Sequence, residues 1–102
     1  MRSEPEIPAT NTSRSVAVDG RDLILADHDG QLFAYANNCP HARETLDPMG
    51  GSISSADGRL LRCQRHGAEF LVETGECVSG PCLGETLTVV AVTAVGGSVS
   101  LA

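Results

Sequence analysis

Apolar residues along this chain form short runs separated by glycine-containing turns, a pattern typical of β-strands rather than helices. The first three runs cover residues 15–18, 23–26 and 31–36. Between them stand Asp19-Gly20 and Asp29-Gly30, dipeptides that favour tight hairpin turns. The pattern therefore predicts a three-stranded antiparallel meander in the first part of the chain.

A second group of strand-like runs follows later in the chain. These runs cover residues 60–62, 70–73, 86–93 and 98–101, with glycines between them. No segment of about ten residues combines helical periodicity with good capping residues. We therefore expect an all-β fold, either an antiparallel β-sandwich or a small barrel.

The chain of 102 residues has the size of one domain with one modest core. Aromatic residues make up only 3% of it, so the core must consist mainly of Val, Leu and Ala. Residues 1–13 contain two prolines among many polar residues and are expected to form a flexible N-terminal tail. Residues 14–102 are expected to form the single domain.

The charge of the chain limits its partners. There are 13 acidic and 7 basic residues, a net charge of −6, and every basic residue is arginine. This excess of acid argues against nucleic acid and anionic membranes, because both select for positively charged surfaces. No apolar run approaches the roughly 20 residues of a membrane helix, and the first ten residues contain no apolar targeting segment. We therefore expect a cytoplasmic protein.

Two short motifs carry the candidate chemistry, and each combines a thiolate with an imidazole. They are Cys39-Pro40-His41 and Cys63-Gln64-Arg65-His66. A single zinc ion would accept two cysteines and two histidines, although zinc sites more often pair like ligands within one motif. A binuclear iron–sulfur site, with two cysteines on one iron and two histidines on the other, accounts for the mixing because each loop then contacts both irons.

With Gly67-Ala68-Glu69-Phe70 after the second motif, the chain resembles the Rieske family, whose signature is Cys-x-His followed by Cys-x-x-His. The resemblance implies one [2Fe–2S] cluster per chain. It implies that Cys39 and Cys63 bind the inner iron, and that His41 and His66 bind the outer, solvent-facing iron.

The resemblance also implies a fold. We expect a Rieske-like antiparallel β-sandwich in which a small cluster-binding subdomain, about residues 37–83, is inserted in a larger sheet framework. The stretch between the motifs is several residues longer than in most relatives, so an extra turn is expected near residues 52–58. High-potential members join their cluster loops by a disulfide, but the corresponding positions here hold Glu44 and Gln64 or Arg65. That disulfide is therefore absent.

In function the chain is similar to the soluble, low-potential Rieske-type ferredoxins. High-potential members carry Ser and Tyr where this chain has Ala68 and Phe70, and their hydroxyls stabilise the reduced cluster. The resemblance implies a one-electron carrier that passes electrons from a flavin-dependent reductase to a terminal oxygenase of the ring-hydroxylating type. We expect a monomer that docks transiently with both proteins and is not itself an enzyme.

Two other functions remain open. The chain could be a small Rieske subunit that is permanently bound to a redox enzyme, such as a nitrite-reductase-type complex. Alternatively, it could be an interaction module that a zinc ion stabilises. Iron and acid-labile sulfide content distinguishes zinc from the first two hypotheses, and co-elution with an enzyme distinguishes a subunit from a carrier.

Other polar residues are weaker candidates. His28 stands alone at a predicted turn and is expected to be a surface residue. Cys77 and Cys82 are expected to be reduced thiols in a cytoplasmic protein, although a disulfide is open if a turn brings their α-carbons within roughly 7 Å. Arginines also flank the ligand motifs and predict a basic collar that attracts an acidic partner. The collar consists of Arg43, Arg62 and Arg65.

Overall fold

A computed structural model describes residues 8–38, 45–47, 49–64, 67–80, 83–95 and 98–101. Regular structure within these ranges is β throughout, as the sequence predicts. The strands are β1 (Ser13–Val18), β2 (Arg21–His28), β3 (Gln31–Ala36), β4 (Leu60–Arg62), β5 (Glu69–Leu71), β6 (Cys77–Ser79), β7 (Val92–Val95) and β8 (Ser98–Leu101). None of the described segments is a helix long and apolar enough to cross a membrane.

The strands form three antiparallel sheets, in the orders β1-β2-β3, β4-β5-β6 and β7-β8. We call the first the base sheet and the second the ligand sheet. Both predicted hairpins of the base sheet are present. Asp19 and Asp29 have φ values of 51° and 53°, and the glycine after each is also positive, as the primed two-residue turns require.

Strand β2 lies at the centre of the molecule, because both of its faces are covered. Its residues 23–27 are all buried, although a strand with one solvent face would alternate. Ile24 and Ala26 pack with the ligand sheet, whereas Leu23 and Leu25 pack with residues that include Val90 and Val99. The predicted sandwich with a mainly aliphatic core is therefore confirmed.

Two predicted strands differ in the structure. Strand β5 ends at Leu71 rather than at residue 73, because the Gly75 amide donates to the Leu71 carbonyl at 2.7 Å and closes a turn. The apolar run 86–93 is largely irregular. It pairs first with Gly75 and Glu76, just before β6, and then with β3, so regular pairing begins only at Val92. Strand β6 was not predicted, because three residues beside a turn leave no periodic signal.

The predicted N-terminal tail divides at residue 8. Residues 1–7 lie outside the described residues. Residues 9–12 form a turn against β2, where the Asn11 amide donates to Asp27 Oδ1 at 3.1 Å and the Asp29 amide donates to Asn11 Oδ1 at 2.9 Å. Ser13 already belongs to β1, and its hydroxyl accepts from the Ile53 amide at 2.8 Å. This last contact connects the base sheet to the segment before β4.

Candidate metal centre

Cys63 follows β4 directly, and the strand fixes its position. Its amide donates to the Ala68 carbonyl at 2.8 Å, and its carbonyl accepts from the Gly67 amide at 3.0 Å. These two bonds close the connection between β4 and β5. The residue is 2% exposed, and it belongs to the core cluster shared by the two sheets. Cys63 is therefore a buried cysteine with a fixed backbone position, and not a surface thiol.

Another hairpin, which spans residues 53–62, supports the strand that leads to Cys63. Ser54 pairs with Leu61, and the Arg62 amide donates to the Ile53 carbonyl at 2.9 Å. The expected extra turn lies at its tip, where the Gly58 amide donates to the Ser55 carbonyl. The Ser55 hydroxyl donates to Asp57 and, together with the Arg59 amide, lowers the pKa of this carboxyl group. Ionised Asp57 thus holds the turn closed at neutral pH.

A third segment approaches the Cys63 turn from the side of β6. Gly80 has a φ of 98°, and a Cβ placed on it would lie only 2.7 Å from the Ala68 Cα. No larger residue fits without movement of one of the two backbones. Ala68 and Phe70 are themselves fully buried. The chain directly after the second ligand motif is therefore packed by backbone and apolar side chains at Ala68 and Phe70.

Of the other predicted ligands, the structure describes only the neighbouring segments. Cys39, His41 and His66 lie outside the described residues, as do Glu44, Arg43, Arg65 and Cys82. The segments on either side of the first motif are described, and they meet. Asn37 Oδ1 accepts from the Leu46 amide at 2.8 Å, and Asn37 Nδ2 donates to Asp47 Oδ1 at 2.9 Å. Both ends of the first ligand loop are thus held at one place beside the base sheet.

Gln64 joins the two ligand regions. Its amide donates to the Leu46 carbonyl at 3.0 Å, and its side chain hydrogen bonds to both Met49 and Gly50. Sequence reasoning missed Asn37, Asp47 and Gln64 as members of the site. Single polar residues beside a ligand motif have no spacing signature, and their partners become known only from the fold.

The remaining candidates have separate environments. Arg62 is exposed, and its guanidinium lies beside Gly67. Cys77 is 2% exposed within the core, and its thiol donates to the Ser79 carbonyl. His28, predicted to be a surface residue, is half-buried at the end of β2, and its side chain is 16% exposed. The turn at the tip of the 53–62 hairpin covers it, with His28 Nδ1 at 3.1 Å from the Asp57 carbonyl oxygen.

The described part of the site fits an iron–sulfur cluster. A fixed, buried sulfur at Cys63 provides the ligand that iron–sulfur clusters use. An open cleft lies beside it, lined among others by Arg62, Cys63, Gln64 and Gly67. On its other side, Cys63 belongs to the same buried core cluster as Ala68 and Phe70, and the apolar shell around a cluster controls solvent access to it.

Comparison with known proteins extends this result. The family model described as the Rieske [2Fe-2S] domain matches residues 2–94. The ferredoxin component of the naphthalene 1,2-dioxygenase system of Pseudomonas putida is 30% identical over 66 residues, which are 65% of this chain and 59% of that protein. The biphenyl dioxygenase ferredoxin subunit of Pseudomonas sp. (strain KKS102) is 30% identical over 79 residues, 78% of this chain and 68% of that protein.

A solved structure is similar over nearly the whole chain. It is a chain of the complex of reduced oxygenase and oxidized ferredoxin in carbazole 1,9a-dioxygenase, with a TM-score of 0.74 and 28% identity. The similarity covers 98% of this chain and 91% of that one. By contrast, the sequence match to the naphthalene relative spans less than two thirds of that protein's length.

Proposed function

The chain belongs to the Rieske [2Fe–2S] domain family, and from this premise we propose that it is a one-electron carrier for a ring-hydroxylating oxygenase system. The observation that carries the proposal is its similarity to ferredoxin components of naphthalene and biphenyl dioxygenase systems. We propose a flavin-dependent reductase as the electron donor and a terminal oxygenase as the acceptor. The protein would work as a cytoplasmic monomer that binds each of them transiently.

We assign four ligands to the cluster: Cys39 and Cys63 on the inner iron, and His41 and His66 on the outer one. When bound, the cluster supplies reversible one-electron chemistry. Of the two cysteines, the structure describes Cys63, which is 2% exposed. In this role the chain only holds the cluster and docks with its partners, so we assign it no catalytic residues.

The environment of the second motif supports a low reduction potential. Ala68 and Phe70 are buried, and neither has a hydroxyl group that could donate to a cluster sulfur. Without such donors the extra negative charge of the reduced state is less stabilised. We therefore expect a potential toward the lower end of the Rieske range of about −150 to +300 mV.

Electron transfer between separately purified partners tests the carrier role. Reduced protein should be reoxidised by a terminal oxygenase of the naphthalene or biphenyl type, and a flavin reductase with NADH should reduce it again over many turnovers. Size-exclusion chromatography of the native protein should give a monomer. Stable co-elution with one enzyme, and no exchange of electrons in free solution, would instead support the permanent-subunit hypothesis.

Docking can be tested through the predicted collar. Arg62 is exposed beside the second ligand motif, where it can contact a partner that approaches the cluster. Replacement of Arg43 and Arg65 by Gln should lower the second-order transfer rate and weaken its dependence on salt, because such charges act mainly on association. The control is Arg21→Gln, an exposed arginine at the β1–β2 turn. Equal salt dependence in all three proteins would contradict docking through the collar.

A further inference from the structure

Residues 46–47 and 49–50, called the 46–50 segment below, lie between the two ligand motifs in the sequence, and the structure holds them from two sides. A turn closes this segment, with the Gly50 amide donating to the Asp47 carbonyl at 2.8 Å. Two residues outside the segment bind it through their side-chain amides. One is Asn37, two positions before Cys39, and the other is Gln64, the residue after Cys63.

Asn37 attaches the segment to the base sheet. Its carbonyl oxygen accepts from the Leu46 amide at 2.8 Å, and its NH₂ group donates to the Asp47 carboxylate at 2.9 Å. Its own backbone amide donates to the Asp22 carbonyl of β2 at 3.0 Å. Asn37 and Asp47 are 8% and 7% exposed. Because buried polar groups lose much when a partner is removed, these bonds define the position of the segment.

Gln64 attaches the same segment to the second ligand motif. Its side-chain Oε1 accepts from the Met49 amide at 2.8 Å, and Nε2 donates to the Gly50 carbonyl at 2.9 Å. Its backbone amide donates to the Leu46 carbonyl at 3.0 Å. An amide side chain can accept from an N–H group through its oxygen and donate to a C=O group through its nitrogen at the same time, without carrying charge.

We propose that Asn37 and Gln64, with residues 46–50 between them, form a noncovalent clasp that fixes the two ligand loops relative to each other. Both are positioning residues for the metal centre. The inference rests on the proposed function, since it takes Cys39 and Cys63 as ligands of one cluster.

Gln64 also connects the clasp to the proposed ligand Cys63. The two residues are adjacent in the chain and line the same open cleft. When the clasp opens, Gln64 loses its attachment to Met49 and Gly50, and the position of the chain directly after Cys63 is less fixed. The clasp should therefore control both the rate at which the cluster is lost and the spread of its geometries.

Gln64→Met is the decisive variant, because methionine has nearly the same length and makes neither side-chain hydrogen bond. Gln31→Met is the matched control, since Gln31 is exposed at the start of β3, beside the β2–β3 turn. Loss of both side-chain hydrogen bonds should raise the rate of cluster release into a chelator by about five- to thirtyfold. The electron paramagnetic resonance lines of the reduced cluster should also broaden, and hydrogen exchange in peptides covering residues 45–50 should accelerate. The control should match wild type in all three.

Each outcome separates the clasp from the proposed function. If the cluster is present but release, line width and exchange in Gln64→Met equal those of Gln31→Met, the clasp is overturned and the carrier role stands. If no preparation holds a [2Fe–2S] cluster but exchange at 45–50 still accelerates, the contacts stand and the proposed function fails, and with it the positioning role. Asn37→Ala should have an effect at least as large, and if it fails to fold, Gln64→Met alone decides.

Discussion

The base sheet and the ligand sheet are stabilised in different ways. The three base strands contain 6, 8 and 6 residues, and two-residue turns join them. Each ligand-sheet strand contains 3 residues, and β5 meets β6 at an irregular register. Long ladders hold the base sheet. The ligand sheet instead depends on contacts from outside its own strands.

Those outside contacts are of two kinds. One is the core cluster in which Ile24, Ala26 and Tyr35 of the base sheet pack against ligand-sheet residues such as Leu61 and Phe70. The other is a set of side-chain hydrogen bonds to backbone groups, of which those of Asn37 and Gln64 are examples. The comparison shows a rigid framework that carries loops whose ends are individually fastened. Changes in the ligand region should therefore alter the metal centre before they unfold the base.

The largest effect is expected from loss of a ligand. His41→Ala, His66→Ala or Cys63→Ser should abolish or radically alter the cluster, because iron–sulfur clusters depend on every protein ligand. His28→Ala is the control, since His28 contacts the 53–62 hairpin and not the proposed metal centre. Visible absorption, with iron and sulfide analysis, measures the outcome. A normal cluster in any of the three ligand variants would show that the residue concerned is not a ligand.

The close approach at Gly80 distinguishes steric need from backbone conformation. Gly80 and Gly84 have similar φ values, 98° and 92°. A Cβ added at Gly84 would meet no atom within 4 Å, whereas one added at Gly80 would meet the Ala68 backbone. Gly84→Ala should lose about 1 kcal/mol of unfolding free energy for its φ alone. Gly80→Ala should lose a further ~1–3 kcal/mol, because its methyl group meets the Ala68 backbone. Equal losses in denaturant titrations would mean that this approach does not hold the ligand region.

Tyr35 tests the connection between the two sheets. Its hydroxyl donates to the Val72 carbonyl at 2.6 Å, and both residues are buried. Tyr35→Phe should cost about 1–3 kcal/mol, because the carbonyl loses its partner in the core. Burial raises the pKa of Tyr35 above its ordinary value of 10.0, so the neutral form stabilises the fold. This contribution to the free energy of unfolding is complete below pH 10 and is lost as the pH rises through the pKa of the folded state. Tyr35→Phe should not show this loss of stability at alkaline pH.

The smallest expected effect concerns the reduction potential. Ala68→Ser and Phe70→Tyr together should raise it by tens of millivolts, because new donors favour the more negative reduced cluster. A shift of about 59 mV would be a tenfold change in the one-electron equilibrium. Voltammetry measures the shift, with the cluster content confirmed equal. An unchanged or lower potential would mean that these positions do not face the cluster sulfurs.

Sequence predicted the base sheet well, because its signals are local. The Asp19-Gly20 and Asp29-Gly30 turns fix two hairpins, and β3 has the predicted bounds. Strand β2 is longer than its apolar run, since polar residues at both ends continue the ladder. The error at 86–93 has a physical cause: Leu87 and Val90 are buried against different clusters, so the run is apolar without being one strand.

The candidate site was less predictable. Its ligand types and their spacing are a sequence signature, and they led to the Rieske family that the comparisons confirm. The residues that fasten the ligand loops, Asn37 and Gln64, have no such sequence signature. The bonds of Asn37 and Gln64 depend on where residues 46–50 lie, and no local pattern encodes that position. The covered environment of His28 was missed for the same reason, because the turn that covers it is 29 residues away.

Quantification of iron and acid-labile sulfide in the protein as isolated tests the central claim most directly. A cluster held by two cysteines and two histidines predicts red-brown protein with about two irons and two sulfides per chain. The same preparation should contain no stoichiometric zinc. Colourless protein that holds one zinc ion per chain and no sulfide, isolated without metal loss, would contradict the iron–sulfur centre and the carrier function proposed from it.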